Sequence, residues 1–160
     1  MKTIDNLPAL HRAMDEMQRS RVLVGIPSDS SDNARSDAFE TNAEIGLINE
    51  FGEPAKNIPA RPSLVPGVSQ AWGKIHKRMA LHASKMLQLH GNERGEVEKA
   101  LNGAGLVAVA SVVGMIDAGL NPELAPMTIS LRQAAGIKGT KPLIATGAYK
   151  QSITYVIKNA

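Results

Sequence analysis

The chain contains no cysteine, which excludes disulfides, thiolate metal sites and a cysteine nucleophile. Aromatic residues are scarce at 3%, with one Trp, two Tyr and two Phe. The core must therefore be aliphatic, with methionine as filler. Recognition of single-stranded nucleic acid through stacked bases is disfavoured for the same reason. Long apolar runs are missing as well. The longest, Gly105 to Ile116, is too short to span a bilayer and contains Gly and Ser. The N-terminus Met-Lys-Thr-Ile-Asp-Asn lacks the apolar stretch of a signal peptide. The expectation is a soluble protein, made inside the cell, with no membrane partner.

Acid is absent from two regions. Residues 58–92 and 125–160 each carry five basic side chains and no acidic one. Residues 27–57 carry seven acidic against two basic, and residues 93–124 carry five against two. Separated faces of opposite sign can steer copies of one chain into head-to-tail docking. The plainer reading is that the blocks balance within one folded monomer. The net charge of +3 distinguishes neither.

What is present is ordinary globular material: 160 residues, 43% apolar, enough for one domain with a real core. Asn6 is a candidate cap for a helix to about Arg19, with Leu7, Leu10, Met14 and Met17 on one side. Arg21 to Ile26 is β-branched and ends at Pro27, as a strand would. Residues 28–41 are polar and small, which predicts a flexible loop. Thr41 with Glu44 fits a capping box, so a helix is predicted from Asn42, closed near Gly52. A long helix is predicted over about Val68–Leu89 with an apolar stripe of Val68, Trp72, Ile75, Met79, Ala83 and Met86. Gly91-Asn92 breaks it. A second long helix starts near Glu93, whose acids suit the positive end of the helix dipole, and closes at Asn121-Pro122. Short helices near Pro126–Ala135 and Gly147–Gln151 and a strand over Ile153–Ile157 complete the chain. The fold class expected is α+β: two long helices plus shorter helices packed on a small, mostly antiparallel sheet.

Catalytic signatures are not found. His76, His82 and His90 share one predicted helix without the spacing that puts two imidazoles on one metal; they read as surface or groove residues. No nucleophile elbow or phosphate-binding lysine loop occurs. Gly103-Ala-Gly105-Leu-Val-Ala108 matches a relaxed dinucleotide fingerprint, but it follows a charged helical run rather than a strand, so close helix packing explains it. No enzymatic activity, cofactor or metal is expected. Lys74, Arg78 and Lys85 cluster on one side of the first long helix and could face DNA; a solvated helix face is the simpler account.

The most informative stretch is Asn42-Ala-Glu-Ile-Gly-Leu-Ile-Asn-Glu-Phe-Gly-Glu-Pro-Ala-Lys-Asn-Ile-Pro-Ala-Arg-Pro-Ser-Leu-Val-Pro-Gly67. It joins a short helix to a segment stiffened by Pro54, Pro59, Pro62 and Pro66. Such a segment loses little entropy on ordering and suits presentation of Arg61 and Leu64 in one pose; a rigid connector is the bland alternative. The stretch resembles the signature of the phage virion-morphogenesis proteins, the tail-completion or neck components of tailed bacteriophages and Mu-like prophages. Lys141-Pro-Leu-Ile-Ala-Thr-Gly-Ala-Tyr-Lys-Gln-Ser-Ile-Thr-Tyr155 resembles the family's closing helix and strand. Gly119 to Ile129, followed by Arg132, is a weaker third block. Ser63, Ala125 and Ala145 depart from the pattern, removing an aromatic anchor and two helix caps, with Thr146 able to replace the second cap.

The resemblance implies a structural virion protein at the head–tail junction, made in the host bacterial cytoplasm and located in the virion neck or tail. It implies a homo-oligomer, a hexameric ring, that completes the tail and joins it to head-completion, tail-tube or terminator proteins. Extra strands from the 52–64 region are a further implication. The docking residues it suggests are Glu50, Phe51, Pro59, Arg61, Pro62 and Leu64, with Arg132 as an inter-subunit ion-pair partner and Tyr155 on the completing strand. The alternatives are a tail-tube terminator and a DNA-binding accessory protein that uses helix 74–85.

Overall fold

Two long helices lie against each other and carry most of the core: α3 (Leu64–Gln88) and α4 (Glu93–Ala118). The computed structural model describes residues 7–27, 41–88, 93–145 and 147–159. Asn6, residues 28–40 of the proposed loop, His90, Gly91-Asn92 and Thr146 lie outside the described residues. Around the helix pair stand α1 (Leu7–Arg19), β1 (Ser20–Gly25), α2 (Asn42–Phe51), α5 (Pro126–Ala134), α6 (Ala148–Ser152) and β2 (Thr154–Asn159). β1 and β2 pair antiparallel, from Ser20 opposite Asn159 to Gly25 opposite Thr154. The α+β class with two dominant helices is as the sequence predicts. The proposed extra strands near 52–64 are not in this sheet; that region contributes one isolated bridge, Glu53 to Ile58.

α4 is the central element, touching α3, α1 and both strands. Val97, Val112 and Ile116 are wholly buried, with Ala100, Ala104 and Ala108 along the same helix. A helix covered on several sides is apolar around most of its circumference, so α4 is long and apolar enough by length and composition to cross a membrane. Its place in the core accounts for that composition. Of the small residues foreseen as close-packing sites on α4, Gly103 lies under the Arg78 side chain of α3, and a Cβ on Gly105 would overlap the Tyr155 ring of β2. Gly114 faces open space, whereas Gly67 of α3, not foreseen, is a close approach: a Cβ there would lie 2.8 Å from the Val112 backbone.

Two apolar faces differ from the sequence reading by a rotation. On α3 the inward line is Val68, Ala71, Ile75, Met79, His82 and Met86, whereas Trp72 is 57% exposed and Ala83 faces out. On α1 the inward residues are Leu10, Ala13 and Met17; Leu7 and Met14 are exposed. Ala13 on α1 and Ala71 and His82 on α3 take inward places that the sequence pattern assigned to larger or more apolar neighbours.

α3 also begins four residues earlier than predicted, at Leu64. Pro66 then occupies the first helical turn, where its missing N–H is not needed.

Candidate docking arm and arginine cleft

The arm runs from Gly52 to Ser63 and is anchored at both ends. At its start, α2 is capped as predicted. Glu44 N donates to Thr41 Oγ1 at 3.2 Å, and Thr41 N donates to Glu44 Oε2 at 2.7 Å. These bonds hold the Glu44 carboxyl below its usual range, the backbone bond from Thr41 being the larger cause. Gly52 ends the helix at φ 78°, its N–H donating to Ile48 O at 2.6 Å. A side chain there would be strained by that φ, and its Cβ would sit 2.8 Å from Ala60 N. Pro54–Lys56 forms one 3₁₀ turn closed by left-handed Asn57.

At its far end the arm is gripped by two charged side chains of its own chain. Glu50 Oε2 accepts from Ser63 N at 2.7 Å and Leu64 N at 2.9 Å, while Oε1 accepts from Val65 N at 2.9 Å. One buried carboxylate thus takes three amides at the start of α3, which the helix itself leaves unpaired. Arg61 is 8% exposed. Its Nε donates to Pro122 O at 2.6 Å and its Nη2 to Glu123 O at 3.0 Å. Its backbone N–H donates to Asn49 O at 2.6 Å.

The docking set proposed from sequence therefore divides. Glu50 and Arg61 face inward and brace the arm, so neither is a contact offered to a neighbour. Leu64 is half-buried against the core. Phe51 (72% exposed), Pro59 and Pro62 point outward. Two exposed residues that the sequence reading did not single out, Leu47 on α2 and Val65 on α3, extend the outward apolar surface. Leu47 and Phe51, spaced i and i+4 within α2, were the available signal for it.

Two further candidates, Arg132 and Tyr155, are half-buried and bonded within their own chain. Arg132 Nη1 donates to Gly139 O and Lys141 O, both at 3.0 Å, and to Ile144 O at 3.5 Å. Through Nη1 it holds its own following loop, so at least this part of the guanidinium serves its own chain. Partial burial, and secondarily the Arg61 charge, push its pKa down. Tyr155 lays its ring over Gly105 and donates from its hydroxyl to Asn102 Oδ1 at 2.9 Å, so it packs the strand on α4. Ser63 is wholly buried, so the departure there alters the inside of the arm rather than its outward grip. Ala125 caps α5 without a side-chain bond, and Gly147 stands at the cap position of α6.

The basic group is exposed as proposed: Lys74, Arg78 and Lys85 lie on the surface of α3, with the Arg78 side chain across Gly103 of α4. His82 corrects the surface reading of the histidines. It is buried, its Nδ1 2.7 Å from Glu96 Oε2, and Lys99 Nζ donates to Glu96 Oε1 at 2.7 Å. Lys99 first, then His82, lower the Glu96 pKa to about 2.

Two recesses adjoin the arm. A groove of about 600 Å³ runs between the free edge of β1 and α3, lined by Val22, Leu23, Val24, Val65, Val68 and Trp72 among others. Three consecutive strand residues line it, so it is open to the backbone edge of β1. A smaller cleft of about 180 Å³ lies behind the arm, with Arg61, Arg132, Asn49 and Tyr149 in its wall. Among the described residues no group of three His, Asp or Glu could hold a metal ion. No family model matches the chain, and no curated protein or solved structure is significantly similar to it.

Proposed function

We propose that this chain is a structural assembly protein of a tailed phage or prophage, repeated as a ring at the head–tail junction. The observation that carries the reading is the division of labour along the arm. Glu50 and Arg61 are consumed in holding it rigid, while Phe51, Pro59 and Pro62 are left outward and Val65, just past the arm, lines an apolar groove. A pre-stiffened apolar projection loses little freedom on docking, and exposed apolar patches of this kind mark interaction surfaces. Repeating one such heterologous contact by rotation closes a ring. The motif resemblance at 42–67 and 141–155 supplies the virion setting and the hexameric expectation. No bond is made or broken in this role.

Arg61→Glu would break the brace itself, so the docking test uses the outward residues. Phe51→Asp with Val65→Asp should leave the monomer folded by circular dichroism yet give heads and tails that do not join. Joining at wild-type yield would overturn the reading. In particles lacking the protein, unjoined heads beside full-length tails indicate the neck, and absent tails indicate tube initiation.

One observation favours a second role. α3 has no acidic residue, and Lys74, Lys77, Arg78 and Lys85 are all exposed on it, a surface suited to DNA phosphates. Retention on heparin with steep salt dependence supports it, and absence of duplex binding at low salt eliminates it.

A further inference from the structure

Arg61 and Arg132 come from segments 71 positions apart and stand in the wall of one cleft. Neither forms an ion pair among the described residues. Their partners are neutral carbonyl oxygens, which satisfy N–H groups but cancel no charge. A guanidinium as buried as Arg61 ordinarily has a counter-ion, and a second one beside it raises that demand. Glu50, the buried acid on this side of the molecule, cannot serve, because both its oxygens are turned onto the amides of residues 63–65. Nη1 of Arg61, and Nε and Nη2 of Arg132, have no acceptor among the described residues. The guanidinium fork matches a group with several acceptor oxygens.

We propose that this cleft seats a phosphate-type dianion. Two positive charges without a carboxylate in the wall match two negative ones, and the recess of about 180 Å³ limits the ligand to a compact group. The ligand would be free phosphate or the terminal phosphate of a small monoester. The inference is independent of ring formation. It makes the bound anion a tie between the arm, through Arg61, and the loop after α5, through Arg132.

The test is titration of the full chain with inorganic phosphate at constant ionic strength, read by arginine side-chain N–H resonances and by Tm. Adenosine monophosphate and chloride serve as parallel arms. Saturation below about 1 mM phosphate, with the Arg61 and Arg132 signals moving, is expected. Binding of the monoester as well would place the open side of the cleft toward solvent; phosphate alone would indicate an enclosed free ion. Both outcomes support the seat. Ala145→Glu puts a carboxylate in the cleft wall and should abolish binding while Tm is kept or raised. Arg132→Lys, which keeps the charge and loses the fork, should weaken binding about tenfold. Arg21→Gln, on the outer side of the sheet, should change nothing. A flat titration, or an equal response to chloride, overturns the proposal, as does equal weakening by Arg21→Gln.

Discussion

The α3–α4 pair and the arm with its adjoining loops are held together by different physics. In the helix pair the backbones approach closely at Gly67, the Tyr155 ring of β2 lies on Gly105, and wholly buried aliphatic side chains such as Val97, Val112 and Ile116 fill the core around them. In the arm region, single charged side chains reach main-chain groups along the chain, and the segments 52–63 and 119–125 contain no α-helix or sheet strand. Packing is distributed over many contacts, so one lost methyl group is felt in proportion to its size. A polar brace is concentrated, so one lost side chain releases several backbone groups at once.

That contrast can be broken by substitution. Ile116→Ala should cost most, about 4 kcal/mol of unfolding free energy in urea melts, from lost transfer energy and the residual cavity. A much smaller loss would mean the pair is not close-packed there. Glu50→Ala should cost about 3 kcal/mol, since the buried Ser63 amide and its neighbours lose a charged acceptor. Protection of the residue 63–65 amides from hydrogen exchange should fall with it, while α4 amides keep theirs. Should both sets fall together, the arm is not a separately braced unit. Gly105→Ala should cost about 2 kcal/mol by forcing the Tyr155 ring off α4, and Tyr155→Ala in the same background should recover part of it.

A pH-dependent contribution comes from the Glu96 carboxylate, which bonds His82 and Lys99. Its pKa is lowered in the fold to about 2 from 4.5, so its contribution is complete above the unfolded value. It fades as pH falls from about 4.5 toward 2. The Tm difference between wild type and Glu96→Gln should accordingly shrink across that interval; a difference that stays constant would show that Glu96 acts by shape rather than charge.

Much of the framework was legible because it rests on local chemistry. Thr41 and Glu44 announce the start of α2 through a bond pattern three residues long, and the β-branched run at Val22–Val24 can hardly be anything but a strand. The start of α3 was misplaced because Pro66 reads as a breaker unless something else takes the amides before it; Glu50, fourteen residues upstream of Leu64, does so. The inward turn of Arg61 and Arg132 was illegible for a similar reason. Their acceptors are carbonyl oxygens, which every residue has, so no sequence pattern marks them. The rotation of the apolar faces on α1 and α3 depends on which partner helix approaches, and periodicity alone leaves that free by about one residue.

β1 finds its only partner among the described residues in β2, and Ser20 Oγ donates to Asn159 Oδ1 at 3.1 Å across 139 positions of sequence. On the ribosome, β1 must therefore wait with its edge unprotected until nearly the whole of residues 20–159 has left the exit tunnel. At synthesis rates of about 5–20 residues per second that exposure lasts on the order of ten seconds. The charged Arg21 near the start of that waiting segment is well placed to keep nascent chains from pairing with one another.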